Sequence, residues 1–127
     1  MFAIDFKSRK SISDQIVDNF KELIVSGVLK AEDRIPSVRE LAGEITVNPN
    51  TVQKAYHVLE QQGYIYTSRG RGTFVSDSED SRGSKADISE GRTMIKDGLD
   101  KLYYAGLTKE ETTKIIEELI DRREGWK

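Results

Sequence analysis

Two short stretches of this sequence hold side chains suited to recognising nucleic-acid bases and phosphates. Residues 46–59 and 67–75 contain Lys54, Arg69 and Arg71 and no acidic residue. The first stretch also holds Asn48, Asn50, Thr51 and Gln53. An Asn or Gln amide can bond N6 and N7 of adenine together. Lys reaches guanine O6 or a phosphate, and the Thr methyl can touch the thymine methyl. Other chemistries find little to stand on. There are no cysteines and a single histidine, His57, so thiolate chemistry, disulfides and most metal sites are excluded. Gly70-Arg71-Gly72 lacks the third glycine of a dinucleotide-binding turn and lies between two strand-like runs. No Ser/His/Asp set or paired-acid site is visible. Neither an enzyme, a cofactor nor a metal is expected.

Such side chains need a frame. Ser11 or Ser13 can cap a first helix, because a hydroxyl accepts from the orphan amides of a first turn. Ile16, Phe20, Leu23 and Ile24 recur at helical spacing, and Gly27 ends the run. Ser37-Val38-Arg39-Glu40 fits a capping box, and Leu41, Ala42 and Ile45 form the stripe of a short second helix. Thr46 and Val47 make the turn. Asn48 is a good N-cap, and Pro49 suits the first helical position, where its missing N–H has no intrahelical partner. Val52, Ala55, Tyr56 and Leu59 then follow an i, i+3, i+4, i+7 pattern up to Gly63. With that stripe inward, Asn50, Thr51, Gln53, Lys54 and His57 face out, and the free amides of the first turn are expected to suit phosphate.

Residues 64–75 change character. Tyr64-Ile65-Tyr66-Thr67 and Thr73-Phe74-Val75 are β-branched and aromatic and flank Ser68-Arg69-Gly70-Arg71-Gly72, which reads as a β-hairpin. Residues 77–87 read as a polar linker. Over 88–125 a helical tail follows. Ile95, Leu99, Leu102 and Tyr103 lie on one helix stopped by Gly106, and Thr108 to Glu111 forms a second capping box. Ile115, Ile116, Leu119 and Ile120 then form a second stripe. Two such stripes cannot cover each other in a small hairpin, and two-fold self-association is the common solution. The expected fold is mainly α with a small β-hairpin: a winged helix-turn-helix domain over 10–76, the linker, and a two-helix dimerisation tail.

Composition sets the bounds. The chain has 127 residues, 36% of them hydrophobic, which suits one small domain with an appendage. No apolar run approaches the ~18 residues of a membrane span, and no basic-then-apolar leader opens the chain, so a cytoplasmic location is expected. Net charge is −2, which does not advertise nucleic-acid binding. Its distribution does more: residues 1–76 carry ten Lys/Arg against nine Asp/Glu, and 77–127 ten against thirteen. A winged helix that binds protein instead of DNA is the alternative, and the overall acidity suits it.

The stretch PSVRELAGEITVNPNTVQKAYHVLEQQGYI, residues 36–65, followed by RGRGTFV at 69–75, resembles the DNA-binding domain of the GntR family of bacterial regulators. With the preceding helix the likeness covers about residues 10–76. It implies a dimer on double-stranded operator DNA with one recognition helix per half-site. Arg39 matches the arginine near the start of the second helix that reaches DNA. Asn48, Asn50, Thr51 and Gln53 match the recognition-helix contacts, and Arg69 with Gly70 the wing tip at the minor groove; Ser37, Lys54 and Arg71 complete the set of expected DNA-binding residues. Pro49 stands where some members have an arginine, so their base preference does not carry over. The short tail resembles the YtrA-type members, whose tail dimerises and whose targets are often transporter operons. A small-molecule effector is compatible with the family, but no cluster of polar residues indicates one.

Overall fold

The computed structural model describes residues 3–77 and 85–126. Two units divide the chain, Met1–Ser84 and Lys85–Lys127. In the first, the elements run α1 (Ile12–Val25), β1 (Arg34–Ile35), α2 (Val38–Ile45), α3 (Pro49–Gln61), β2 (Ile65–Ser68) and β3 (Gly72–Val75). The second holds α4 (Lys85–Tyr104) and α5 (Lys109–Arg122).

Helix α1 starts at Ser11, whose hydroxyl accepts from the Asp14 amide at 3.0 Å; of the two serines it is the cap. Ser13 is instead buried, as is Gln15. The Gln15 side chain accepts from the Asp5 amide at 2.8 Å and donates to the carbonyls of Asp5 and Lys10, both at 2.9 Å. A buried amide is tolerable only when so satisfied, and here it fastens the leading segment to the helix. Gly27 follows the helix with φ 85°, the left-handed conformation that its lack of a Cβ permits.

The core of the first unit is formed by Ile16, Val17, Phe20 and Ile24 of α1, Leu41 and Ala42 of α2, and Val52, Ala55, Tyr56 and Leu59 of α3. Ile35, Ile65 and Val75, one from each strand, complete it. Leu23 and Ile45, expected on the buried stripes, are only half-buried. Phe20 meets the Tyr56 ring edge-on, with centroids 5.5 Å apart.

The hairpin has the expected loop. Ser68 pairs with Gly72, leaving Arg69, Gly70 and Arg71 as its tip, and Gly70 takes φ 76°. The sheet nevertheless has three antiparallel strands, in the order β1-β3-β2. Arg34 pairs with Phe74 and Ile35 with Thr73. The third strand is only two residues long, and it places the buried Ile35 just before α2 begins.

In the second unit α4 begins at Lys85, inside the stretch expected to be linker; most of that stretch, 78–84, lies outside the described residues. Helix α5 starts with the expected capping box. The Thr108 hydroxyl accepts from the Glu111 amide at 3.1 Å, and the Glu111 carboxylate accepts from the Thr108 amide at 3.0 Å. Leu99, Asp100 and Tyr103 of α4 face Thr112, Thr113 and Ile116 of α5 across an open groove beside their connection. No residue of α5 is buried. No described helix is long and apolar enough to cross a membrane.

Candidate nucleic-acid interface

Helix α3 carries the candidate reading surface, and its orientation follows from its sequence. Val52, Ala55 and Leu59 are fully buried and Tyr56 nearly so. That fixes the opposite face outward: Asn50, Gln53, Lys54 and His57 are exposed, while Thr51 at the edge is half-buried. Burying one such apolar side chain is worth about 1.5–3 kcal/mol, so the outward presentation of the polar face is strongly enforced. His57 belongs to no metal-holding group among the described residues.

One part-buried polar contact ties α3 to the segment that leads into α2. The Tyr56 hydroxyl donates to the Pro36 carbonyl at 2.6 Å, linking the middle of α3 to the start of α2. Burial, with the nearby charges of Glu40 and Glu44, pushes the phenol well above its ordinary range, so it remains a donor throughout the physiological range. Between the two helices Thr46 takes a left-handed conformation, φ 55° and ψ 55°, uncommon for a β-branched residue. The Val47 amide then reaches back to the Ala42 carbonyl at 3.0 Å. Around this turn Arg39, Ala42 and Gly43 of α2 and Pro49 of α3 line a shallow concavity together with Thr46 and Val47.

Two predicted contact residues double as caps. The Ser37 hydroxyl accepts from the Glu40 amide at 3.1 Å, and the Glu40 carboxylate accepts from the Ser37 amide at 3.2 Å. These bonds, aided by the Arg34 charge, hold the Glu40 carboxyl below its ordinary range. The Ser37 hydroxyl acts there as an acceptor and still has its own proton to donate. Asn48 Oδ1 accepts from the Asn50 amide at 2.8 Å, so its –NH2 group is what Asn48 can offer to DNA.

That arrangement corrects one expectation. The first turn of α3 does not offer free amides to a phosphate. Pro49 has none, the Asn50 amide is bonded to Asn48 Oδ1, and the Thr51 amide goes to the Asn48 carbonyl at 3.0 Å. Side chains, not backbone, must make the contacts at this end of α3.

At the wing, Arg69, Gly70 and Arg71 are exposed, as is Arg39 on α2. Ion pairs among the described residues are Lys10–Asp18, Lys96–Asp100 and Arg122–Glu118. None involves Arg39, Lys54, Arg69 or Arg71, so their charges are left for another partner. One residue was missed in the sequence, Arg34 on β1, because a two-residue strand gives no periodicity to read. It is exposed and lies outside those pairs as well.

A family model described as bacterial regulatory proteins, gntR family, matches residues 12–75. The chain belongs to the GntR family. It is similar to the HTH-type transcriptional repressor YtrA of Bacillus subtilis, with 44% identity over 124 residues, 94% of this chain and 92% of the relative. The likeness therefore extends into the short tail, and the chain is a GntR regulator of the YtrA type. A Listeria monocytogenes EGD-e protein described as a transcriptional antiterminator shares the fold with a TM-score of 0.77 at 44% identity, covering 94% of this chain and 89% of that one. AraR(DBD), solved in complex with operator ORX1, superposes with a TM-score of 0.52 at 28% identity, over 59% of this chain and 96% of its own. The family is described as regulatory proteins and the Bacillus subtilis relative is named as a transcriptional repressor, and this GntR chain is a winged-helix transcriptional regulator, not an enzyme.

Proposed function

We propose that this GntR chain is a repressor that binds a palindromic operator as a homodimer, each protomer placing α3 in the major groove of one half-site and its wing at the adjacent minor groove. The observation that carries the reading is the outward face of α3, where Asn50, Gln53 and Lys54 are exposed over a fully buried apolar stripe. Asn50, Thr51 and Gln53 read base edges. Ser37, Arg39, Asn48, Lys54 and the wing residues Arg69, Gly70 and Arg71 hold the backbone and the minor groove. Two half-sites about one helical turn apart, roughly 34 Å, follow from a two-fold dimer.

What supports the dimer is uncovered apolar surface in the tail. Ile95, Leu99, Tyr103, Leu119 and Ile120 are exposed, and Leu102, Ile115 and Ile116 are only half-buried. Large apolar side chains left open along two helices mark an association surface. The YtrA-type likeness adds a transporter operon as the class of target and the cytoplasm as the place of action.

The test is a gel shift of the purified chain on the region upstream of its own gene and on an unrelated duplex, at two salt concentrations. Tighter binding to the upstream region, falling as salt rises, is expected. Equal binding to both duplexes would remove sequence-specific reading, and no binding at either salt would favour a protein partner.

A further inference from the structure

Arg34, Phe74 and Tyr66 are successive register partners across β1, β3 and β2, so their side chains share one face of the wing sheet. Gly72 lies two residues before Phe74 on β3 and therefore faces the same way. It is the residue that lets Arg34 lie down. A Cβ built at Gly72 would sit 2.8 Å from Arg34 Nε and 3.7 Å from both Cδ and Cζ. The arginine therefore runs flat over the glycine, along β3, toward the end of the sheet that holds Arg69, Gly70 and Arg71. The same guanidinium is near enough to the start of α2 for its charge to act on Glu40, the residue that closes the capping box beside Arg39.

The carboxylates near Arg34 are already engaged. Glu40 is bonded to the Ser37 amide. Glu32, two residues before Arg34, accepts from the Tyr66 hydroxyl. Arg34 makes no ion pair among the described residues and is exposed. It is thus a planar cation outside those ion pairs, lying between the start of α2 and the loop of the wing, the two places where this chain is proposed to hold DNA.

We infer that Arg34 is a DNA-backbone contact: laid over Gly72, its guanidinium binds the phosphate that passes between the start of α2 and the wing. A guanidinium fork suits a phosphate because two of its N–H groups can donate to two oxygens together. The inference rests on the DNA-binding reading above and extends it to a residue outside the stretches 36–65 and 69–75.

The experiment measures binding of the full chain to a duplex carrying the region upstream of its own gene, across a salt series, for the unaltered chain, Arg34→Ala and Arg34→Lys. Thermal midpoints of all three are recorded. Removing a cation from one phosphate lowers the steepness of log K against log salt by about 0.9. Arg34→Ala should therefore flatten the slope by about that much for each protomer bound, with little change in midpoint. Arg34→Lys, which keeps the charge, should retain most of the slope. If Arg34→Ala binds with the original slope, the inference is wrong, whether or not affinity falls; lower affinity and midpoint at constant slope would mark a brace for the wing. If the unaltered chain binds no duplex, the DNA-binding reading fails first and takes this one with it. Binding by the unaltered chain with an unmoved slope in Arg34→Ala removes this inference alone.

Discussion

Removing one oxygen, by Tyr56→Phe, tests whether the recognition helix is held at its angle by the bond to Pro36. The phenylalanine ring occupies the same buried space and keeps the edge-on contact with Phe20. What disappears is the donor 2.6 Å from the Pro36 carbonyl. A typical hydrogen bond contributes a net ~0.5–1.5 kcal/mol, but stranding a buried acceptor costs about 1–3 kcal/mol. Pro36 is half-buried, so water can partly replace the missing donor, and the lower half of that range applies. The expected loss is about 1–2 kcal/mol. In a urea titration it appears as a lower midpoint with unchanged slope, because the surface exposed on unfolding is the same. For a domain of this size each kcal/mol corresponds to roughly 4–8 °C in thermal midpoint. The functional readout is separate: freed from α2, α3 should lose more affinity for operator than for unrelated duplex, since base contacts depend on angle more than phosphate contacts do. A stability loss under about 0.5 kcal/mol, the low edge of a single bond, with operator preference intact, would refute this account of how the helix is positioned.

Other consequences are equally open to measurement. Gln53→Ala should cost about 1–3 kcal/mol of discrimination at one base pair of each half-site; a panel of single-substitution operators checks it, and uniform weakening across the panel would show that Gln53 reads no base. Ile120→Glu places a charge on the uncovered face of α5, and sedimentation should show the dimer shifting to monomer while the far-ultraviolet spectrum stays helical. Glu40 and Glu111 are both held below the ordinary glutamate range, chiefly by the backbone amides of Ser37 and Thr108. A depressed folded-state value means the stabilisation is complete above the unfolded value and disappears as pH falls through the folded one. Melting midpoints should therefore decline below about pH 4.3, the reference glutamate value, and the Glu40→Gln, Glu111→Gln double variant should show a shallower decline.

The parts of this regulator that were legible in its sequence are those where one residue type has one local use. Asn48-Pro49 announced the start of α3 because a side-chain acceptor followed by a residue without an amide fits a helix N-terminus. Val52, Ala55, Tyr56 and Leu59 then left no ambiguity about which face was buried. Ser37 with Glu40, and Thr108 with Glu111, were equally plain. The illegible parts depend on partners distant in the chain. Arg34–Ile35 is a strand only because Phe74 and Thr73 lie beside it. Gln15 is a core residue only because Asp5 and Lys10 offer it a full set of bonds. The cap of α3 was legible, yet its effect on phosphate binding was not: a well-capped helix has spent the amides that a phosphate would need.

That last point bears on how a chain with net charge −2 holds a polyanion. With the backbone amides of the first turn of α3 bonded internally, attraction must come from side-chain cations, and what counts is their local arrangement. At physiological salt the field of an exposed charge decays over about 8 Å, so acidic residues farther away than that subtract little. Arg39, Lys54, Arg69 and Arg71 are free of ion pairs among the described residues, and Arg34 adds a fifth such charge. Glu40 and Glu32 accept from the Ser37 amide and the Tyr66 hydroxyl, and neither forms an ion pair with Arg34 among the described residues. With the first-turn amides of α3 bonded internally, attraction for random DNA is expected to rest on these side-chain cations. On the proposed reading the preference for operator rests on angle-dependent contacts of Asn50, Thr51 and Gln53, on the helix that the Tyr56 hydroxyl ties to Pro36. A regulator built this way discriminates through positioning, and its specificity should be more sensitive to the buried α2–α3 contact than to any single surface charge.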